Sequence, residues 1–196
     1  MNSSRTRAAF TLIEMIIAIT VFTIFIGFAI STYLVFHRSN QDALTQRSLL
    51  MEAEALLNEI SDAARENRID YVTYADQNVL GGEGALEVET LYLVSPDGQE
   101  RTVYSWDAEQ EALSMQRLDA LGNALTEAQV LHSENLTVSD VNFRIFPSQN
   151  PYENRSEDAL QYQPMVTFTL NFSMPGRMDE EIQLELHTSV TSRFYQ

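Results

Sequence analysis

Glu14 occupies the most unusual chemical setting in this chain. It follows the short apolar stretch Phe10-Thr11-Leu12-Ile13 and precedes an uncharged run from Met15 to Phe36. A carboxylate in such a segment costs a few kcal/mol on insertion scales and usually has a use. The chemistry that its position predicts is the pairing of opposite charges in an apolar setting.

Other side chains that could do chemistry are scattered along the chain. His37, His132 and His187 fall in three different segments without the spacing of metal ligands. The chain has no cysteine, which excludes disulfides, thiolate metal sites and cysteine nucleophiles. No nucleophile elbow and no Ser, His and Asp grouping stands out. We therefore predict no catalytic residue, no metal site and no cofactor, and we expect that the protein is not an enzyme.

Two polar clusters have simple structural interpretations. Asp179-Glu180-Glu181 offers the oxygen ligands that calcium prefers, but a solvated charged turn explains it better. The glycine cluster at 81–84 lacks the Gly-Lys-Ser or Gly-Lys-Thr of a phosphate-binding loop, so a flexible loop is expected there.

The run from Met15 to Phe36 predicts a membrane-spanning helix. Its 22 residues would extend roughly 33 Å as a helix, enough to cross the hydrocarbon core of a bilayer. A cleaved secretory signal has a shorter apolar core, and an ordinary signal anchor needs no carboxylate at its start. Arg5 and Arg7 precede the run, which predicts a cytoplasmic amino terminus and an exported remainder.

The order of these features resembles the class III signal of type IV pilins and pseudopilins: a short basic leader, a small residue, Phe10-Thr11-Leu12-Ile13-Glu14 and then about twenty apolar residues. The resemblance implies that prepilin peptidase cuts between Ala9 and Phe10 and methylates the amino group of Phe10. It also implies that Glu14 meets the methylated amino terminus of a neighbouring subunit during filament assembly. Ala9 stands where the family usually has glycine.

The first helix is expected to continue past the membrane to about Arg65. No proline interrupts residues 10–65, and Gly27 is their single glycine and a candidate weak point. Beyond Phe36 the apolar residues recur at spacings of four and three, which predicts that one helix face packs on a core. This stripe consists of Leu49, Ala53, Leu56, Ile60 and Ala63.

After a polar connector at 66–84, the apolar period becomes two, which predicts strands. Ser95-Pro96-Asp97-Gly98 is a turn signal between two of them and indicates a hairpin. Residues 119–133 suit either a short helix or a loop. The expected strands lie at 86–94, 101–106, 112–118, 141–146, 165–172 and from 182 to about 193. Strands linked by hairpins favour an antiparallel sheet.

The elements predict an α+β protein that resembles the type IV pilin fold, with a long helix packed on an antiparallel sheet. We expect a leader at 1–9, a transmembrane and filament-core half of the helix at 10–36, an amphipathic half at 37–66 and a soluble head at 67–196. The net charge of −16, with arginine as the single strongly basic residue type, disfavours nucleic acid as a partner of the head.

Two classes of function stay open. The resemblance implies a structural subunit of a type IV pilus, a type II secretion pseudopilus or a DNA-uptake pilus, with prepilin peptidase and other pilin-like subunits as partners. The large head and the absence of a disulfide favour a minor subunit. It would lie first in the inner membrane as a single-pass protein and later in a filament, at the cell surface or in the periplasm. The alternative is a single-pass membrane-anchored binding module outside the cytoplasm.

Overall fold

The computed structural model describes residues 11–77, 80, 84–151, 163–176 and 181–192. The elements in chain order are α1 (Leu12–Glu66), β1 (Arg68–Ile69), α2 (Tyr71–Asp76), β2 (Leu86–Val88), β3 (Thr90–Val94), β4 (Glu100–Asp107), β5 (Ala112–Asp119), β6 (Gln129–Val130), β7 (Thr137–Phe146), β8 (Met165–Pro175) and β9 (Glu181–Thr191). This arrangement confirms the predicted α+β class, a long helix followed by antiparallel strands.

The chain divides into two compact units, Met1–Leu44 and Thr45–Gln196, and the division falls within α1. In the first unit every described side chain is exposed, from residue 11 to residue 44. The helix passes through Gly27 without interruption. A Cβ atom added at Gly27 would have no neighbour within 4 Å among the described residues. This unit is therefore a single helix whose apolar surface has no cover within its own unit.

In the second unit, the remaining part of α1 packs by the predicted stripe. Leu49, Ala53, Leu56 and Ile60 are buried, and their spacings of four, three and four place them on one helix face. The last buried residue of this face is Ala64 and not the predicted Ala63, which is only half-buried. These residues share one core with the inward-facing side chains of the strands.

The strands form two antiparallel sheets, where the sequence predicted one. The five-stranded sheet has the order β1-β3-β4-β5-β6, and the four-stranded sheet has the order β2-β7-β8-β9. Trp106 links them, because its indole Nε1–H donates to the carbonyl of Val138 at 2.8 Å. The backbone N–H of Val138 in turn donates to the carbonyl of Glu111 at 3.0 Å. The two sheets therefore share one hydrophobic core.

The connector predicted as a polar loop holds β1 and α2 within its described residues. Asp70 caps α2, because its carboxylate accepts the backbone N–H of Thr73 at 3.2 Å and the Thr73 hydroxyl at 2.8 Å. The buried Tyr74 hydroxyl donates to the carbonyl of Thr90 at 2.9 Å and accepts the backbone N–H of Tyr92 at 3.0 Å. These bonds hold the connector against the edge of β3. Gly81 and Gly82 lie outside the described residues.

The segment at 119–133 is a loop with the two-residue strand β6, which resolves the ambiguity of its sequence. The Asp119 carboxylate accepts the backbone N–H groups of Leu121 at 2.9 Å and Asn123 at 2.8 Å. Gly122 between them has φ +87°, a conformation that favours glycine. The hydrogen bonds from Asn123 and its neighbours hold the pKa of Asp119 below its usual value. Local turn chemistry thus prevents a helix here.

Burial of Tyr104 predicts a loss of stability in alkali. Burial and the nearby charge of Glu59 raise the pKa of Tyr104 to about 12, against about 10 in an unfolded chain. The unfolded state therefore loses this proton first. The contribution is complete below pH of about 10 and falls as the pH rises towards 12. Urea unfolding of a fragment beginning at Thr45, measured at several pH values, should show this fall in the free energy of unfolding.

Tyr104→Phe is the matched control, since it removes the titrating group and keeps the buried ring. Its free energy of unfolding should fall less steeply between pH of about 10 and 12 than that of the unchanged fragment. Identical slopes for the two proteins would contradict the burial of this hydroxyl.

Candidate functional site: the amino-terminal segment

Thr11 and Glu14 form a capping box at the start of α1. The Oε2 atom of Glu14 accepts the backbone N–H of Thr11 at 2.9 Å and the Thr11 hydroxyl at 2.9 Å. The backbone N–H of Glu14 points back to the Thr11 Oγ1 atom at 3.3 Å. The pair satisfies groups that a helix start leaves unpaired, and the negative charge lies at the favourable end of the helix dipole.

Thr11 is a residue whose role the sequence analysis missed. The signal was present, since a threonine three residues before a glutamate at the start of an apolar run is the capping-box pattern. The capping box gives Glu14 a local role in addition to the predicted intersubunit role. Ala9 and Phe10, the predicted cleavage pair, lie outside the described residues.

The three threonine hydroxyls farther along the apolar run are satisfied within the helix. The hydroxyl of Thr20 donates to the carbonyl of Ile16 at 2.8 Å, and that of Thr23 donates to the carbonyl of Ile19 at 2.8 Å. Thr32 does the same with Phe28 at 3.0 Å. Such back-bonding removes the cost of placing a hydroxyl in an apolar medium. The helix is long and apolar enough to cross a membrane.

The three histidines are not brought together. His37 stacks on Tyr33 one turn earlier in α1, with ring centroids 6.1 Å apart. The imidazole of His132 accepts the backbone N–H of Leu113 at 3.3 Å, and His187 lies on β9. Among the described residues, no three His, Asp or Glu side chains group as metal ligands. Asp179 and Glu180 of the acidic cluster lie outside those residues.

The family model of the prokaryotic N-terminal methylation motif matches the chain at residues 4–30. No curated protein and no solved structure gives a significant match. The matched range contains the basic leader, the predicted cleavage pair, the capping box and most of the apolar run.

The amino terminus is therefore a type IV pilin-like class III signal peptide, of the kind that prepilin peptidase processes. The long helix followed by antiparallel sheets is consistent with an α+β, type IV pilin-like fold. The family of this motif is structural rather than enzymatic. The apolar helix anchors the chain in a membrane near its amino terminus.

Proposed function

We propose that this chain is a minor subunit of a type IV filament machine: a type IV pilus, a type II secretion pseudopilus or a DNA-uptake pilus. Prepilin peptidase removes residues 1–9. Residues 10–36 anchor the subunit and then form filament core, residues 37–66 carry the amphipathic half of the helix, and residues 67–196 form the head. The size of the head and the absence of cysteine support a minor subunit.

The observation that carries this proposal is the exposed apolar helix that begins with a capped carboxylate. All described side chains at 11–44 are exposed, and its threonine hydroxyls need no outside partner. Lipid covers such a surface well, and so do neighbouring apolar helices. Moving from lipid to a helix bundle therefore changes little for the apolar side chains, and the charged group decides how the helices align.

Glu14 supplies that alignment through a counter-charge. Its Oε2 atom holds both Thr11 donors, while its Oε1 atom has no hydrogen-bond partner among the described residues. The carboxylate can therefore keep the cap and still accept a bond from the methylated amino group of Phe10 in a neighbouring subunit. Misplacing either charge in an apolar bundle would leave it unpaired, which costs several kcal/mol.

The charges of the chain support one orientation in the inner membrane. Arg5 and Arg7 lie on the cytoplasmic side, and the head is exported before the subunit joins a filament at the cell surface or in the periplasm. The partners are prepilin peptidase and other pilin-like subunits. The head carries most of the acidic residues, which disfavours nucleic acid as its partner.

The proposal predicts cleavage after Ala9. Replacing Ala9 with leucine should leave full-length precursor in the membrane, because the peptidase site must admit a small side chain at that position. Mass spectrometry of the membrane fraction distinguishes the precursor from the chain that begins at methylated Phe10.

Ala9→Gly is the matched control and should be cut at least as well as the natural chain. A mature amino terminus at any residue other than Phe10 would contradict the proposed processing. Efficient cleavage of the Ala9→Leu protein would show that the small side chain is not what the peptidase reads.

A further inference from the structure

The apolar run of α1 is followed by a cation that has no partner within the described chain. Arg38 is the first Asp, Glu, Lys or Arg after Glu14, and it lies two positions beyond Phe36, where the run ends. Its side chain is exposed, and its guanidinium has no hydrogen-bond or ion-pair partner among the residues that the structure describes. The N–H donors of Arg38 can therefore bind a group from outside the chain.

The spacing of Glu14 and Arg38 matches the thickness of a bilayer. The two residues are 24 positions apart, which is roughly 36 Å along a helix, whereas the hydrocarbon core is about 30 Å thick. Both charged groups can therefore lie in headgroup layers at the same time, one on each side of the membrane. Tyr33 stacks on His37 at the Arg38 end, and tyrosine is typical of the membrane interface. Arg38 is thus expected at the depth of the lipid phosphates.

A shallow groove on the surface of α1 lies beside Arg38. It is lined by Ser31, Thr32, Val35, Phe36 and Ser39. Ser39 is next to Arg38 in sequence, and Ser31 lies roughly 12 Å farther into the apolar run. Val35 and Phe36 are 65% and 70% exposed, and the Thr32 hydroxyl is satisfied by the carbonyl of Phe28. The groove therefore presents apolar surface below a cation, which is the pattern that a lipid molecule fits.

We propose that Arg38 and this groove bind one phospholipid molecule, with the lipid phosphate on the guanidinium and an acyl chain along the groove. The inference rests on the membrane anchoring in the proposed function, because lipid then surrounds this helix before assembly. A guanidinium can bind two phosphate oxygens at once. Phosphatidylglycerol should be preferred to phosphatidylcholine, because the ammonium group of the choline compensates the charge of its own phosphate.

Asp42 is the acidic residue nearest to Arg38 in the sequence, and it lies on the same side of α1, one turn farther from the apolar run. No ion pair joins the two side chains within the described part of the chain. A basic residue four positions before an acidic one is also the weaker order for a pair on a helix. Arg38 therefore keeps its charge for an anion on the membrane side.

Quenching of an introduced tryptophan by brominated lipid tests the site. Phe36→Trp places the reporter at the groove in the full-length chain, which is reconstituted into phosphatidylcholine vesicles. A fixed fraction of the lipid is then brominated phosphatidylglycerol or, in a second sample, brominated phosphatidylcholine. The chain without Phe36→Trp measures the background from Trp106. Brominated phosphatidylglycerol should be enriched roughly fivefold at position 36 relative to brominated phosphatidylcholine.

Two matched substitutions in the reporter chain separate a site at Arg38 from a general effect of charge. Arg38→Gln removes the guanidinium and should make the quenching by the two lipids equal. Arg47→Gln makes the same change in net charge at an exposed residue nine positions farther along α1, and it should leave the fivefold preference unchanged. Loss of the preference in both variants, or its persistence in Arg38→Gln, would overturn the proposal.

The same measurement distinguishes failure of this site from failure of the membrane anchoring. Strong and equal quenching of the reporter by the two lipids would keep the anchoring and overturn the phospholipid site alone. A reporter that neither lipid quenches would mean that position 36 lies outside the lipid or is covered by protein, and it would overturn both. A preference that disappears in Arg38→Gln and persists in Arg47→Gln is the result that the site predicts.

Discussion

Glu14→Leu is expected to lower the incorporation of this subunit into a filament by roughly a hundredfold or more. The amino group of the neighbouring Phe10 would enter an apolar bundle without its counter-charge, at a cost of several kcal/mol. Insertion and cleavage should persist, because the altered segment is more apolar and the Ala9-Phe10 pair is unchanged. Crosslinking to the adjacent subunit measures incorporation, and mass spectrometry measures cleavage.

Two further variants separate the counter-charge from the cap. Glu14→Gln keeps an oxygen that can accept the Thr11 bonds and removes the negative charge, so it should assemble as poorly as Glu14→Leu. Thr11→Val removes the hydroxyl and keeps the charge. It should lose about 1 kcal/mol of helix capping and still assemble.

The pattern across these variants distinguishes the two classes of function. If Glu14→Leu, once processed, assembles as well as the natural protein, the carboxylate does not serve as the counter-charge. That result is expected if the chain is a membrane-anchored binding module, since its anchor needs no counter-charge. If Thr11→Val fails while Glu14→Gln succeeds, the role of Glu14 is the helix cap alone.

The sequence predicted the elements whose periodicity is long and regular. The spacing of Leu49, Ala53, Leu56 and Ile60 predicts the buried face of α1, and the structure confirms it. The alternation also predicted β4, β5, β7, β8 and β9, within a few residues at their ends, whereas the single strand expected at 86–94 is two strands, β2 and β3. Periodic patterns survive in the fold because one face of each element must be buried.

The connector was predicted less well because its order comes from distant residues. Tyr74 is held by backbone groups of Thr90 and Tyr92, sixteen and eighteen positions away. Arg101 places its Nε atom 3.1 Å from the Oδ2 atom of Asp70. No local sequence pattern predicts these distant contacts. The cap that Asp70 makes on Thr73 could have been predicted, because the two residues are only three positions apart.

The remaining differences between the predicted and the observed fold concern which strands join which sheet. Alternation along β2 and β3 indicates strands, but it does not indicate that the two strands join different sheets. The position of β9 at the end of the four-stranded sheet is set by the same strand order. The capping box of Thr11 and Glu14, by contrast, is local, and its pattern is visible in the sequence.

Phe168→Ala is expected to destabilise the head by about 3–5 kcal/mol. Phe168 lies in the middle of β8, fully buried, with its ring centroid 6.3 Å from that of Phe143. Truncation removes apolar burial and leaves a cavity in the hydrophobic core. With no cysteine in the chain, the head has no covalent crosslink to compensate. Urea unfolding of a fragment beginning at Thr45, followed by circular dichroism, measures the loss.

The effect should be large because small domains have only about 5–15 kcal/mol of stability in total. Leu121→Ala removes a similar apolar side chain from a site that is 87% exposed, and it should change the free energy of unfolding by no more than about 0.5 kcal/mol. Equal losses from the two substitutions would mean that Phe168 does not pack in the core. A fragment of Phe168→Ala that is already unfolded without urea, beside a folded Leu121→Ala fragment, would place the stability of the head at the low end of that range.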